Sequence, residues 1–491
     1  MRPQVRSEQS AHRLAGTPDG RFIIPALSMV VVILLRTLTW AGADPITAGD
    51  ASNAENAANP EAVAQVLSGK RDTANAAWWG FDPANSTAAL QGAIDSGAAR
   101  VIVPDMGKDW IVEPIELTRD DQQIIFEPGV VVAARKDSFK GANDNLISIW
   151  NRKNVTLHGY GATLRMEKDY WFEAKYHRMN MGWRMILSIA GSSNIKVMGL
   201  MLRDGGGDGI YLTKSDLDDG LPYCKDVVIK DVTCDNNSRQ GLTVISVENL
   251  LIESCCFNNT RGAHPMAGID IEPNRGPQMR LVNIHIRNCI FDGNDQLGAH
   301  HFFAHMNAQH LPISILWENC YIRGGYYGLH LNAVPADGPG GKVEFRNIIV
   351  ENTRGPGIAV RGTLLDTERI IFRNILIKNA CTKVTDGGVL KKKYREQPAP
   401  ILLKIGSTDN EGKGRVGGIE FHNVHLVQEK QLDHIIDIHE ADTGALEGYF
   451  DLIGDITLSY PWPTRANIRV PIKDPKNITL KINGKLITDV K

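Results

Sequence analysis

A short segment that begins with glycine occurs six times along the chain, and this repetition constrains the fold more than any other feature. The copies read GIYL, GLTV, GIDI, GAHH, GLHL and GIAV, and they begin at residues 209, 241, 268, 298, 328 and 357. The period of two within each copy is the pattern of a β-strand. Strands that recur about every 30 residues predict a solenoid, because a single coil cannot bury its own apolar face and must stack on its neighbours.

A second repeated segment alternates with the first and carries asparagine at its third position. It reads IRNC at 286, WENC at 317, FRNI at 345 and 372, and FHNV at 421. These asparagines are predicted to form a structural column at one bend, hydrogen-bonded from coil to coil: Asn288, Asn319, Asn347, Asn374 and Asn423. Helical repeats do not fit, because the segments have a period of two and are rich in β-branched and aromatic residues.

The two ends of the chain are predicted to lie outside the coil. Residues 1–43 contain arginines, the apolar run FIIPALSMVVVILL and the small-residue sequence AGA, which together predict a signal peptide and an exported protein. An uncleaved membrane anchor is the alternative. Residues 44–76 are interpreted as a linker, and residues 431–491 as a C-terminal cap or tail.

One short helix is predicted next to the first coil, at residues 85–98. Its sequence is NSTAALQGAIDSGA, in which Asn85 or Ser86 is placed to cap the first turn. Leu90, Ala93 and Ile94 give it one apolar face. Such a helix would cover the open end of the solenoid, since exposed sheet ends invite aggregation.

Charge and cysteine content narrow the functional classes. The formal net charge is -2 over 491 residues, so the chain lacks the positive field on which nucleic-acid binding depends. The seven cysteines include no CxxC pair, which argues against a disulfide framework or a zinc site. Cys255, Cys289 and Cys320 occupy equivalent positions in the repeat and are interpreted as small buried side chains.

Several stretches resemble the pectin-lyase-like superfamily. They are WWGFDPANSTAALQGAIDSGAARVIVP at 78–104, NVTLHGYGATLRM at 154–166, GGGDGIYL at 205–212 and the glycine-led segments that follow. The resemblance covers about residues 77–430. It implies an all-β chain folded as a right-handed parallel β-helix. It also implies a carbohydrate-acting protein, because most characterised members are polysaccharide lyases, glycosidases or epimerases.

The catalytic motifs of the polygalacturonases within that superfamily are mostly missing. Their Asn-Thr-Asp corresponds here to GGD, of which only Asp208 matches. Their Asp-Asp pair corresponds to RQG at 239–241, their Gly-His-Gly corresponds to MAG at 266–268, and no Arg-Ile-Lys follows. Polygalacturonase activity is therefore not inferred from the resemblance.

The register of the glycine-led strands predicts which side chains face outward. The first and third residues after each glycine are nearly all apolar and should point into the core. The second residue should then point outward on every coil: Tyr211, Thr243, Asp270, His300, His330 and Ala359. His301 falls on the inward register and is interpreted as a core histidine with satisfied hydrogen bonds.

Asp270 and Glu272 are the candidate catalytic pair on this outward face. Two residues apart on one strand, they lie about 7 Å from each other at their Cα atoms. Repulsion between like charges raises the pKa of one partner, and a protonated acid beside an ionised one is the arrangement that glycoside hydrolysis requires. We expect Glu272 to be the acid and Asp270 the base or nucleophile, although the pattern also allows the reverse.

Further candidates lie around this pair. Asp208 follows three glycines that would leave the backbone open to a ligand, and it is a third candidate catalytic acid. The predicted substrate-binding residues are Tyr211, Arg239, Gln240, His300, His330 and Asn332. Trp171 and Trp183 lie on an insertion, YWFEAKYHRMNMGWRM, that is expected to fold over the cleft, and either indole is suited to stack on sugar rings.

Three functions remain open at this stage. The first is an exported glycoside hydrolase that acts on a polysaccharide or oligosaccharide without a cofactor. The second is a polysaccharide lyase or uronate epimerase, with a base among His300, His330 and Tyr211. Its cation would be an arginine (Arg239, Arg275 or Arg361) or a Ca²⁺ ion held by Asp270 and Glu272. The third is a non-catalytic polysaccharide-binding protein.

Overall fold

The structure is a computed structural model that describes residues 56–141, 143–171, 183–334, 337–362, 367–383, 399–405, 416–430, 432, 434–440, 449–459, 468–469 and 476–486. All of these residues belong to one compact unit, Ala51–Lys491. The predicted signal peptide at 1–43 lies outside the described residues. None of the helices in the described ranges is both long enough and apolar enough to cross a membrane.

The glycine-led segments form one continuous parallel sheet along the coil. Its strands are Ile115–Glu116, Ile147–Trp150, Leu187–Ala190, Ile210–Thr213, Gln240–Val244, Ala267–Ile271, Leu297–Phe302, Tyr327–Asn332, Ile358–Arg361, Ile401–Ile405, Ile436–Glu440 and Ile468–Arg469. The repeated glycine is required because the backbone of the next coil lies too close to leave room for a side chain. A Cβ atom on Gly268 would lie 2.7 Å from the carbonyl oxygen of Gly298 on the next coil, and Gly209, Gly241, Gly298 and Gly328 meet the same obstacle.

Two further rows of strands complete each coil. The longer row contains Thr73–Asn75, Arg100–Val103, Gln123–Phe126, Lys153–His158, Ser193–Met198, Cys224–Lys230, Val247–Glu253, Leu281–Arg287, Ile313–Glu318, Gly341–Glu351, Glu368–Lys378, Val416–Val427, Tyr449–Ser459 and Lys476–Ile482, which pairs antiparallel with Lys485–Leu486. The shorter row contains Trp110–Val112, Val131–Ala134, Thr163–Arg165, Met201–Arg203, Thr233–Asp235, Cys256–Asn258, Ile290–Asp292 and Tyr321–Arg323. From Gly341 onward, single long strands run through both rows.

The asparagine column lies at the bend between these two rows, as the sequence predicts. All five asparagines have a φ of 54° to 56°, a left-handed conformation that asparagine tolerates better than most residues. Each amide donates to the previous one, for example Asn347 Nδ2 to Asn319 Oδ1 at 2.9 Å and Asn374 Nδ2 to Asn347 Oδ1 at 3.0 Å. The column therefore stabilises the bend and connects successive coils.

The interior of the coil is filled by repeated apolar side chains. Six aromatic rings stack along it with centroid distances of 5.2 to 5.7 Å: Phe257, Phe291, Trp317, Phe345, Phe372 and Phe421. Cys255, Cys289 and Cys320 are buried beside them and are not disulfide-bonded. The interpretation of these cysteines as small core side chains is confirmed.

Two helices and a 3₁₀ turn cover the first coil, and only one of the two helices was predicted from the sequence. The predicted capping helix is present at Thr87–Asp95, with Ala89, Leu90, Ala93 and Ile94 buried. Ser86 precedes it, but Asn85 supplies the side-chain acceptor for the amide of Thr87, at 3.1 Å.

A second helix, Pro60–Leu67, a 3₁₀ turn at Ala76–Trp79 and the strand Thr73–Asn75 occupy part of the predicted linker 44–76. Linker is therefore the wrong description for these residues. The helix forms because Asn59 caps it and Ala62 and Val66 are buried.

The far end of the coil also differs from the expectation. Residues 431–491 were predicted to be a separate cap or tail, but their described strands add further rungs to the same sheets. Ile436–Glu440 pairs in parallel with Ile401–Ile405, and Tyr449–Ser459 pairs with Val416–Val427. The boundary at residue 430 is wrong because the coil continues here without a leading glycine. One further helical turn, Lys168–Trp171, follows the strand Thr163–Arg165.

Candidate functional site

The outward column of the glycine-led sheet has the predicted register. The strand pairings bring Tyr211, Thr243, Asp270, His300, His330 and Ala359 into one row. On the strand that carries Asp270, Ile269 and Ile271 are fully buried in the hydrophobic core. The side chain of Asp270 therefore points to the opposite, outer side of the sheet.

Asp270 is on the outer side but is completely covered by neighbouring polar groups. Gln240 Nε2 donates to its Oδ2 at 3.0 Å, and His300 Nδ1 lies 3.0 Å from its Oδ1. Burial by itself raises the pKa of Asp270, but His300, Gln240 and Arg239 outweigh it and lower the pKa below the ordinary value. Asp270 is thus held in the ionised form, and a carboxylate with no exposed surface does not touch a substrate directly.

Glu272 is the accessible carboxyl group of the pair. Its side chain is 29% exposed, and its Oε2 lies 3.8 Å from Nη2 of Arg239. Burial and the neighbouring charge of Asp270 raise its pKa, against the opposing effect of Arg239. Glu272 and Asp270 are therefore shifted in opposite directions, which is the split that an acid and an ionised partner require.

Asp208 is a third carboxyl group on the same side of the sheet, and it is also fully buried. It accepts hydrogen bonds from the backbone amide of Gln240 at 3.1 Å and from the Thr243 hydroxyl at 2.7 Å. Burial raises its pKa from 3.8 to about 7, with a further contribution from Asp270. Asp208 therefore changes charge near neutral pH.

The glycines before Asp208 are not open to a ligand. Gly205, Gly206 and Gly207 are all buried. A Cβ atom on Gly205 would lie 2.9 Å from Oδ1 of Asn237, which accepts the Gly205 amide. The prediction of a bare backbone at this turn is wrong, because the glycines make room for an asparagine of the next coil.

Arg239 connects the three carboxyl groups. Its Nη1 lies 3.6 Å from Asp208 and its Nη2 lies 3.8 Å from Glu272, while its guanidinium sits 5.4 Å from the ring centroid of Trp183. The charges of Asp208, Asp270 and Glu272 raise its pKa even though burial opposes them. We refer to Asp208, Arg239, Asp270 and Glu272 as the carboxyl cluster.

A group of rings continues the outward column beyond the carboxyl cluster. The imidazoles of His300 and His330 stack at 5.0 Å, and Tyr327 stacks on His330 at 4.7 Å. Asn332 Nδ2 lies 3.3 Å from His300 Nε2, and Arg361 donates to the Tyr327 hydroxyl at 3.2 Å. Burial, His300 and Arg361 lower the pKa of His330 well below its ordinary value, so this ring is neutral.

His301 points into the core, as its register predicts, but its hydrogen bonds are not satisfied. It is enclosed by Phe303, Trp317 and Phe345, and neither ring nitrogen has a hydrogen-bond partner among the described residues. Burial lowers its pKa to about 3. The interpretation as a satisfied histidine is wrong, because the interior of the coil offers it only apolar and aromatic neighbours.

The structure brings most of the predicted site residues together. The contacts of Gln240 and Tyr211, however, were not predicted. Gln240, predicted to bind substrate, is fully buried and holds Asp270 instead. Tyr211 lies beside Trp183, with ring centroids 6.3 Å apart. The insertion that was expected to cover the cleft, residues 170–185, is largely outside the described residues. The described residues 183–185 place Trp183 at the carboxyl cluster.

Two contributors, Thr243 and Tyr327, were not selected from the sequence as site residues. Thr243 belongs to the outward column, so the register predicts its position, but the register does not predict its hydrogen bond to Asp208 on another coil. Tyr327 directly precedes a leading glycine, as Asp208 and Gln240 do, and that shared position was the available signal. Within the described ranges, no three His, Cys, Asp or Glu side chains are arranged to hold a metal ion.

Comparison with known proteins identifies the architecture. No protein-family model and no curated protein sequence matches the chain. Among solved structures, the family 28 exopolygalacturonase of Yersinia enterocolitica gives a TM-score of 0.57 at 13% identity, covering 85% of this chain and 79% of that one. The fold is the right-handed parallel β-helix of the pectin-lyase-like proteins. The fold predicted from the sequence is thus confirmed.

Two further solved structures show weaker similarity. An endo-xylogalacturonan hydrolase from Aspergillus tubingensis has 12% identity and a TM-score of 0.46, covering 82% of this chain and 100% of that one. The A-module of a mannuronan C-5 epimerase from Azotobacter vinelandii has 13% identity and a TM-score of 0.46, covering 84% and 98%. At such identities the likeness concerns the fold and leaves the reaction to be argued from the site.

Proposed function

We propose that this β-helix protein is an exported glycoside hydrolase that acts on a polysaccharide or oligosaccharide. The observation that supports this function is the placement of two unlike carboxyl groups side by side, with the partly exposed Glu272 directly after the strand that carries the fully buried Asp270. Their surroundings shift their pKa values in opposite directions. Glu272 keeps a proton to a higher pH and has an accessible surface, while Asp270 stays ionised beneath it. Hydrolysis of a glycosidic bond needs one carboxylic acid to protonate the leaving oxygen and a base to activate water.

Glu272 is the general acid in this proposal. Its proton passes to the glycosidic oxygen as the bond from that oxygen to the anomeric carbon breaks. The carboxylate that remains is stabilised by Arg239, whose guanidinium lies 3.8 Å away. Such general acid catalysis contributes about 10²- to 10⁴-fold to a rate.

The base is the pair formed by His300 and Asp270, because only His300 has an exposed edge. The side chain of His300 is 10% exposed and its Nδ1 faces Asp270 at 3.0 Å. With that nitrogen protonated, Nε2 carries the lone pair that takes a proton from water while the water oxygen bonds to the anomeric carbon. This water takes the place that the Asn332 amide now occupies, 3.3 Å from Nε2. Asp270 holds the ring and stabilises the imidazolium, and so acts as a positioning residue rather than as the nucleophile.

The remaining polar residues have supporting roles. Gln240 donates to Asp208 through its backbone amide and to Asp270 through its side chain. Thr243 also donates to Asp208, which forms an ion pair with Arg239. Tyr211 and Asn332 lie along the same face, where their polar atoms are placed to orient sugar hydroxyls. Both ring nitrogens of His330 are buried without a hydrogen-bond partner among the described residues, so this ring supports the stacked ring of His300 instead. The proposal needs no cofactor, and export follows from the predicted signal peptide.

The test is a screen of the purified protein against a panel of polysaccharides, with two assays in parallel. Hydrolysis releases new reducing ends without ultraviolet absorbance, whereas elimination forms an unsaturated, absorbing sugar. NMR of the first product gives a further check, because direct attack by water inverts the anomeric configuration. New reducing ends with retained configuration would contradict the assignment of His300 as the base.

A lyase or epimerase is the second candidate, and one observation favours it. His300 lies 3.0 Å from the carboxylate of Asp270, on which Arg239 also acts, and a histidine in this setting is also suited to remove the proton next to a uronate carboxyl group. Ultraviolet absorbance of the product, or exchange of that proton with solvent, would favour this reaction. Binding without turnover, unaffected by Glu272→Gln, would instead favour a non-catalytic binding protein.

A further inference from the structure

The charge balance of the carboxyl cluster restricts which sugar it can hold. Arg239 is its single cation, and three carboxyl groups surround it: Asp208 at 3.6 Å, Glu272 at 3.8 Å, and Asp270, whose charge also acts on it. The neighbouring His300 is turned toward Asp270 at 3.0 Å. Within the described part of this cluster, the ionised carboxylate of Asp270 therefore already balances the positive charge of Arg239.

An anionic sugar at this position would be destabilised. A further carboxylate next to the ionised Asp270 would be repelled, and Arg239 cannot offset that repulsion without leaving its present partners. A hydroxymethyl group carries no such cost. The cluster therefore favours a sugar ring whose exocyclic carbon is uncharged.

Trp183 offers an apolar surface at the same place. It is 37% exposed, although most other large apolar side chains in the described coil are buried. Arg239 lies over its ring and Tyr211 meets it edge-on. These contacts fix the indole beside the carboxyl cluster while leaving part of it accessible. Fixed aromatic surfaces with a few polar groups nearby are typical of ligand sites.

We propose that the sugar unit bound at the carboxyl cluster is neutral and packs against Trp183. This inference rests on the proposed function, and it adds the substrate class. It also distinguishes the two candidate reactions, since a lyase or epimerase acting on uronates needs an anionic unit at this position.

The test uses matched pairs of oligosaccharides, each a uronate oligomer and the same oligomer with its carboxyl groups reduced to hydroxymethyl groups. Pairs of gluco, galacto and manno configuration are compared by calorimetry and by turnover with the full protein. Within each pair that binds, we expect the reduced form to bind at least about tenfold more tightly. Tighter binding of the uronate form overturns the inference, even if that form is hydrolysed. Failure of the protein to bind any pair contradicts the proposed function itself.

Variants separate the contributions of charge and stacking. Asp208→Asn removes one partner of Arg239, so it should improve binding of the uronate form relative to the reduced form. The exposed loop residue Asp218 provides the control, and Asp218→Asn should leave that ratio unchanged. Trp183→Ala should weaken binding of the reduced form at least about tenfold, and Trp183→Phe should restore most of it. Unchanged binding by Trp183→Ala contradicts the stacking contact. Uronate preference that disappears in Arg275→Gln would show that the neighbouring exposed loop provides the missing cation.

Discussion

Two columns of side chains run along the coil, and they differ in how much their members repeat. The bend column places asparagine on every coil from Asn288 to Asn423, each in the same left-handed conformation with the same amide contact. The outward column changes on every coil, from Tyr211 through Asp270 to His330. In a solenoid, a residue that recurs on every coil serves the stacking that all coils share. A residue found on one coil only serves a need of that coil. The polar departures in the outward column are therefore the candidates for function.

The largest expected effect is in the outward column and concerns rate rather than stability. Glu272→Gln should lower kcat by about 10²- to 10⁴-fold, because the amide cannot donate the proton that the leaving group needs. The free energy of unfolding should be nearly unchanged, since Glu272 is partly exposed. Steady-state kinetics and denaturant unfolding on the same preparation measure both quantities. An active variant would remove Glu272 from the mechanism.

A substitution in the interior of the coil should lower stability strongly and leave kcat nearly unchanged. Phe291→Ala removes a ring stacked between Phe257 and Trp317, at 5.3 and 5.4 Å. We expect a loss of about 3–5 kcal/mol in the free energy of unfolding, since burial, stacking and packing are all lost. Below the melting transition, kcat should stay within about threefold of the wild-type value. A much larger loss of kcat would mean that the interior controls the site and that the two regions are not separable.

The bend column should show an intermediate effect on stability. Asn347→Ala removes the amide contacts to Asn319 and Asn374 and places alanine at a φ of 56°. The expected loss is about 2 kcal/mol, from the hydrogen bonds and the left-handed backbone together. Asn347→Gly is the matched control, because glycine tolerates this backbone and isolates the hydrogen-bond contribution. Equal stability of the alanine variant and the wild type would make the column dispensable.

A further expected effect is a pH dependence of stability that arises in the carboxyl cluster. The folded protein raises the pKa of Asp208 from 3.8 to about 7, so between these values the folded state holds a proton that the unfolded state has lost. The contribution of Asp208 to stability therefore falls as pH rises from about 4 to about 7. Asp208→Asn should lack this slope, and its stability relative to the wild type should increase across the same range. Parallel curves for the two proteins would contradict the raised pKa.

The sequence was sufficient for everything that depends on repetition. The glycine spacing located the sheet, the alternation set the register, and the asparagines marked a bend. It was less informative where the coil departs from its repeat. The coil continues past residue 430 through Ile436–Glu440, which lacks the leading glycine, so the boundary was placed too early. The helix Pro60–Leu67 lies in an Ala- and Asn-rich stretch whose composition suggested a linker.

For the candidate site, too, the sequence predicted the positions that follow from the repeat but not the contacts between coils. The pattern placed Asp270, Glu272, His300 and His330 in one region, because their register depends only on the strand period. It did not reveal that Asp270 is completely covered, because its contacts Gln240 and His300 come from the neighbouring coils. Exposure depends on contacts between segments far apart in the chain, and no local pattern encodes it.

The most direct test of the account is a crystal structure of Glu272→Gln with a bound oligosaccharide that the wild-type protein cleaves. The account predicts a glycosidic oxygen within hydrogen-bond distance of the introduced amide and a neutral sugar ring against Trp183. It also predicts a water molecule or an anomeric carbon facing His300. An oligosaccharide bound to another face of the coil, with the carboxyl cluster unoccupied, would contradict it.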